Sequence, residues 1–459
     1  MEAALNQYAA GEERVEARNV AFLGFLTLLN VMNFVDRQLL ASFANWIKPA
    51  LELSDTEFGF LTGFAFILFY SVMGLFAGAL ADMVHRPRLV AGALALWSAL
   101  TAVSGMARNF VTLALPRALI GVGESVMTPA SMSMLADRFP PKRLGFAAGF
   151  YYQGVPIGVG ASLLVAGYLA PAIDGWTAEE GDGWRNCFYL LGAVGVALAA
   201  VMLLVRETPR RSHATDAQLP AMPVAPPDAP PRQSFREILN TLLQALSNSR
   251  ALVFTMAGGV AAHFILGAAA FDQLWFADER GFEREFIAQR TGWIAVFAGV
   301  AGNLFGGWAG DKWQEVTGQG RPMFLFWVTL LLTPVGIAYR LVAPDSLFFW
   351  ICVVSGFFQL GCFYGPTFST VQELAPPQIR ASVVAFYILM LNLVGLGIGI
   401  TGGGLLADAL RGSGVAEPYT WTLLCFTVLS AAAIPCFWIA GRRFAADRDR
   451  LYAALEGRG

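Results

Sequence analysis

Long apolar stretches alternate with short polar interruptions along the chain, and this rhythm predicts helices that cross a lipid bilayer. Twelve runs stand out, near residues 19–46, 57–81, 88–107, 111–137, 144–170, 185–205, 251–276, 288–310, 322–341, 346–373, 379–409 and 420–440. Each is long enough for a helix rising 1.5 Å per residue to span a hydrocarbon layer of roughly 30 Å. Backbone groups inside lipid must pair within their own segment, which favours helices. A transmembrane barrel would show shorter stretches of strict alternation, and none is found. The predicted class is an all-α integral membrane protein.

Composition agrees with the pattern. Of 459 residues, 56% are apolar and 14% charged, which excludes a water-soluble enzyme. Cys187, Cys352, Cys362, Cys425 and Cys436 are scattered inside apolar runs at no ligand spacing, so they read as thiols and not as a metal or disulfide set. No glycine-rich phosphate loop ending in Lys and Ser or Thr occurs, and ATP-driven pumping has no support. No cofactor, metal, nucleic acid partner or covalent chemistry is expected.

An even number of spans puts both termini on one side. Of the 31 Lys and Arg, 21 fall at the termini, in the loops on their side and in the central linker, eight fall in the opposite loops, and Arg37 and Arg117 lie within spans. That bias predicts cytoplasmic termini, and a bacterial inner membrane is the expected location. The domains follow: a tail over 1–18 without the form of a secretory leader, a six-helix bundle over 19–207, a linker over 208–249, a second bundle over 250–441 and a tail over 442–459. The linker begins in a Pro-rich polar stretch and closes on a segment, Ser234 to Leu246, able to form an interfacial amphipathic helix.

The two bundles are partly the same sequence. DRFPPKRLGFAAGFY, from Asp137 to Tyr151, aligns without a gap to ELAPPQIRASVVAFY, from Glu373 to Tyr387. Gly78 to Asp82, GALAD, is echoed by GWAGD from Gly307 to Asp311. Both echoes fall at equivalent places in the helix order, so the spans form two pseudo-symmetric halves of six, an architecture that favours alternating access around a central site.

GALADMVHRPR, from Gly78 to Arg88, with its weaker copy from Gly307 to Lys312, resembles the signature between spans two and three of the major facilitator superfamily. NFVDR, from Asn33 to Arg37, and PRALIGVGE, from Pro116 to Glu124, narrow the resemblance to the spinster-like subfamily. This resemblance implies the major facilitator fold and a secondary transporter, and spinster-like members are thought to move lysophospholipids and sphingoid phosphates. In the signature, Gly78 and Gly307 would permit close helix approach. Asp82 and Asp311, with Arg86 and Lys312, would latch a cytoplasmic gate, unless they are ordinary loop-edge charges.

Four charges lie within the spans themselves. Asp36 and Arg37 fall roughly 25 Å along span one, and Arg117 roughly 9 Å below the opposite surface in span four. Glu124 is two helical turns deeper on the same face as Arg117. A bare charge facing lipid is costly, so all four should face the interior. Arginine offers phosphate a permanently charged planar fork, whereas an intramembrane carboxylate can load and release a proton. Arg37 and Arg117 are therefore headgroup candidates, and Glu124 and Asp36 proton-coupling candidates. The alternative is a static ion-pair network holding the first half together.

The second half lacks an equivalent cluster. His263, Asp272, Gln359 and Asn392 are its polar candidates for cavity or gate, with His263 reading equally as a packed, hydrogen-bonded side chain. A charged half opposing an apolar one suits an amphiphile. The function expected is secondary transport of a phosphate-bearing lysolipid or sphingoid cargo, proton-coupled, by a monomer embedded in membrane lipid. Carriage of an organic anion or drug-like amphiphile is the alternative, and a ligand sensor without turnover is the reading from a different class.

Overall fold

A computed structural model of the chain describes residues 17–176, 181–207, 235–376 and 379–456. Among the described residues, twelve helices are long and apolar enough to cross a membrane: Ala17–Ser42, Asp55–Gly74, Arg86–Ser104, Phe110–Arg138, Arg143–Trp176, Gly183–Leu203, Arg250–Glu279, Arg284–Thr317, Arg321–Ala338, Leu347–Leu374, Ser382–Gly412 and Pro418–Ala453. They are called spans one to twelve, and they follow the predicted runs in order. No strand occurs among the described residues.

The ends of several spans are written in local sequence. Span two starts at a capping box in which Ser54 accepts from the Glu57 amide and the Glu57 carboxylate accepts from the Ser54 amide. Asn109 and Thr112 make the same reciprocal pair at the start of span four. Span eight ends at Gly318, whose φ of 68° is the left-handed conformation that glycine adopts without a Cβ penalty.

Spans one to six and seven to twelve form two bundles. The face carrying both described chain ends is called here the terminal face, and the opposite one the distal face. Between bundles, the close contacts lie in the distal half of the molecule. Span two meets span eleven where Gly59 and Gly63 pack on Ile400, and span five meets span eight where Gly160 packs on Gly292 and Val296. A Cβ on Gly160 would lie 2.6 Å from the Gly292 carbonyl, so the absent side chain sets this helix separation. Hydrogen bonds joining the bundles also lie towards the distal face, from Asn45 to the Gln273 carbonyl, from Arg284 to the Asn45 carbonyl, from Gln289 to the Gly167 carbonyl and around Asp55. The bundles are thus joined distally, and the space between them on the terminal side is called here the cleft.

The predicted tail over 442–459 is helical as far as Glu456, continuing span twelve. Its Asp447 is buried and accepts from Ser249 Oγ and the Ala251 amide, which caps span seven and ties the tail into the second bundle. Within the linker, residues 208–234 lie outside the described part, and Phe235–Asn248 is the helix expected at its end. Leu242 and Ala245 are buried in the second bundle's apolar core, so this helix is anchored on one face.

Candidate functional site

Spans one and four bring the four intramembrane charges together. Span four is a helix to Glu124, turns at Ser125 and Val126, and restarts at Met127. Leu113, Arg117, Ile120 and Glu124 lie on one buried stripe of it, as their spacing of three and four residues requires. Arg37 reaches across from span one, and its Nε and Nη2 both donate to Glu124 Oε2 at 3.2 Å. Asp36 turns the other way, where both its oxygens accept from Thr101 Oγ1 of span three at 2.7 and 2.8 Å.

The two arginines differ, and this revises the expectation that both present a fork to cargo. Arg117 is 1% exposed. Its Nη1 donates to the Asp36 carbonyl at 3.2 Å and its Nη2 to the Arg37 carbonyl at 2.6 Å, so the fork is taken up by the backbone of span one. The Arg37 side chain retains 21% exposure while Glu124 retains none. Arg37 is ringed by Phe34, Phe66 and Tyr70, whose centroids lie 4.8, 5.0 and 4.4 Å from its guanidinium carbon. Phe66 also faces Arg117 at 4.8 Å, so a single ring separates two cations. Arg37 is the cationic group open to a ligand, and Arg117 holds the backbone from which it projects.

Glu124 uses one oxygen. Its Oε1 is buried without a hydrogen-bond partner among the described residues, as is Arg117 Nε. Most buried polar atoms in proteins are paired, so such an atom beside a partly open cation marks a site with unspent bonding capacity. Arg117→Lys should cost about 1–3 kcal/mol, because one ammonium cannot serve both carbonyls. A lowered Tm, with cargo affinity changed less than by Arg37→Lys, is the expected outcome, and thermal unfolding beside ligand titration checks it.

In the second bundle, His263 is 3% exposed. Its Nδ1 lies 2.8 Å from the Gly259 carbonyl, its Nε2 lies 3.4 Å from Tyr364 Oη, and its ring packs edge-on against Phe363. Nδ1 therefore carries the proton, and the histidine is satisfied where it stands. Asp272 pairs with Arg340 at 2.8 Å, inside one bundle and not across the two, so it does not bridge the distal seam. Gln359 is half-buried in span ten with no hydrogen bond among the described residues. Asn392 bonds the Ile388 carbonyl at the start of Leu391–Leu396, where span eleven widens into a π turn, a feature that recurs at functional sites.

At the terminal face the two bundles carry related charge clusters. Arg86 is buried and pairs with Asp137 and Glu207. Arg321 pairs with Asp311 at 2.6 Å and with Glu373 at 2.6 Å. Asp137 and Glu373 are the residues that head the sequence repeat, so the echo carries an arginine partner in each half. Lys312 pairs, among the described residues, with the exposed Glu315 one turn along its own helix. Gly307 meets span ten backbone to backbone, since a Cβ on Gly365 would stand 3.4 Å from the Gly307 Cα, and Gly306 abuts Cys362 of the same span. Gly78 and Asp82 lie on the helix Phe64–Met83, and their side chains are outside the described residues.

The distal seam was not foreseen. Asp55 is fully buried and pairs with Lys48 at 2.6 Å in its own bundle and with Arg411 at 3.0 Å in the other. Tyr419 Oη donates to the same carboxylate at 2.6 Å. Asp408 of span eleven accepts from the amides of Asp55 and Thr56 at 3.1 and 2.7 Å, capping span two from the opposite bundle.

The profile of the Major Facilitator Superfamily matches residues 26–400. The chain belongs to that superfamily. It is 30% identical over 433 residues to an MFS-type efflux pump of Mycolicibacterium smegmatis, covering 93% of this chain and 94% of that one. It is 22% identical over 379 residues to protein spinster of Drosophila melanogaster, covering 81% of this chain and 59% of the other. Its fold superposes on a bacterial homolog of the human lysosomal transporter Spinster with a TM-score of 0.79, at 23% identity over 94% of this chain and 98% of the other. It is an integral membrane transporter of that superfamily for a small-molecule cargo, similar to spinster proteins, in a family that is generally non-enzymatic.

Proposed function

We propose that this transporter moves an amphiphile with an anionic, phosphate-bearing headgroup, a lysolipid or sphingoid phosphate, by alternating access coupled to protons. One observation carries the reading: the partly open Arg37 fork, ringed by three aromatics, holds a single oxygen of the wholly buried Glu124. A phosphate dianion is a stronger bidentate partner than that one oxygen and would compete for the fork. The Glu124 carboxylate, displaced into a low-dielectric wall, would then be costly until it bound a proton, so cargo and proton would load together. The phenylalanines of span ten and the satisfied His263 offer the rest of the cleft little charge, which suits an alkyl chain. The positive-inside bias makes the terminal face cytoplasmic, and the cleft then opens inward. With both bundles in one chain, a monomer suffices.

The test is a competition panel on purified protein, with a single-chain phosphate amphiphile, an uncharged amphiphile of equal chain length and a sugar phosphate. The phosphate amphiphile should displace a bound fluorescent analogue where the other two fail. Arg37→Lys should weaken it about 10- to 100-fold, the loss of one or two charged hydrogen bonds. Equal displacement by the uncharged amphiphile would overturn the headgroup assignment. It would favour instead export of drug-like amphiphiles, the reading supported by similarity to the mycobacterial efflux pump.

A further inference from the structure

Spans two and three both pack along span four but meet one another little, which leaves a furrow on the outside of the first bundle. The furrow encloses about 320 Å³ and its lining is almost wholly apolar. Phe76 and Leu80, on the helix Phe64–Met83 that continues span two, form one wall, Gly92 and Leu96 the other, and Gly123 and Val126 of span four the floor. Phe76, Leu80 and Leu96 are 62%, 42% and 46% exposed, on the surface that lipid covers. A Cβ on Gly92 would meet nothing within 4 Å, so the glycine leaves the wall open. From Arg88 to Leu96 the furrow runs roughly 12 Å along span three, from the terminal face inward.

Arg88 stands at the outer end of this furrow, exposed at the start of span three. Among the described residues its guanidinium takes no hydrogen bond or ion pair, whereas its neighbour Arg86 is buried in acid partners. An apolar slot that opens on hydrocarbon and ends in an unpaired cation at headgroup depth is complementary to one bilayer component. We infer that the furrow is a binding site for an anionic phospholipid of the terminal leaflet, its acyl chain between spans two and three and its phosphate on Arg88. The site lies outside the first bundle and apart from the cleft, so it does not depend on the cargo reading. The chain would press on Gly123 and Ser125, which flank Glu124, and Gly123 packs on the buried Trp97. Bilayer lipid thus touches the turn that carries the charged residue.

The test uses full-length protein in liposomes containing phosphatidylglycerol or phosphatidylcholine with a photoreactive diazirine on the acyl chain, followed by peptide mapping. The phosphatidylglycerol probe should label residues 92–97 and 122–126 about fivefold more than the phosphatidylcholine probe at equal mole fraction, the preference expected of one arginine near an anionic surface. Arg88→Gln should bring that ratio close to one, while Arg88→Lys retains most of it. Gly92→Leu, whose Cβ has open space around it, should remove labelling by both probes there and leave labelling elsewhere intact. Equal labelling by the two probes in the unaltered protein, or unchanged furrow labelling in Gly92→Leu, would overturn the site.

Discussion

Glu124→Gln is expected to abolish gradient-driven accumulation of cargo while leaving cargo binding in place. The four intramembrane charges sum to zero when both acids are ionised, and their partners are specific: Arg37 is neutralised by Glu124, while Arg117 rests on two backbone carbonyls. Asp36 is held by Thr101, which donates to both of its oxygens. An incoming phosphate therefore meets Arg37 and competes with Glu124 alone. Glutamine keeps a carbonyl oxygen for the Arg37 bond at nearly constant volume, and its neutral amide imitates the protonated acid. Cargo should bind with weaker pH dependence, and downhill exchange should persist. Uphill accumulation under an imposed pH gradient should fall to the level of protein-free liposomes. Liposomes containing the variant that still concentrate cargo as the unaltered protein does would remove Glu124 from the coupling, and Asp36 would be the next carboxylate to test.

The sequence carried the twelve spans because lipid imposes one requirement on every residue it touches, and runs of apolar side chains record it without tertiary context. It carried the quartet of Asp36, Arg37, Arg117 and Glu124 for the complementary reason, since a charge in such a run has nowhere to go but the interior. Which arginine faces the cleft was not legible, because it depends on helix rotation and on the carbonyls of span one, and no local pattern reports either. Phe66 and Tyr70 have the right spacing for one face of span two, but many aromatics share it. Thr101 is one hydroxyl in an apolar run and gives no signal at all. The distal seam was hidden differently: Asp55, Asp408, Arg411 and Tyr419 each read as an ordinary charge or aromatic near a helix end, and only the fold brings residues more than 350 positions apart into contact. Gly306, one position before the echoed glycine, also packs on span ten, and the signature does not single it out.

Asp55→Asn should shift the transporter out of its distally closed state. The carboxylate is completely buried and is the shared acceptor for Lys48, Arg411 and Tyr419, two of them from the opposite bundle. Removing its charge leaves Lys48 and Arg411 to the more distant carboxylates of Asp278 and Asp408, and breaking a buried pair this way costs about 3–5 kcal/mol. Once the bundles part distally, water can solvate these same groups, so the loss falls on the closed state and biases the equilibrium by about 10²–10³. Asp408 continues to cap span two from span eleven, so the variant should still fold. Arg411→Gln provides the contrast. Its side chain is 50% exposed, and a pair with one end in water is worth about 0–1 kcal/mol, which shifts the same equilibrium by less than about tenfold. Pulsed electron spin resonance distances between labels at Glu52 and Val415 should be short and narrow in the unaltered protein, lengthen in Asp55→Asn and change little in Arg411→Gln. Matching distance distributions for Asp55→Asn and the unaltered protein would mean that the seam is held by the Asp408 cap and the helix packing at Gly59 and Gly404, and that Asp55 does not act as its lock.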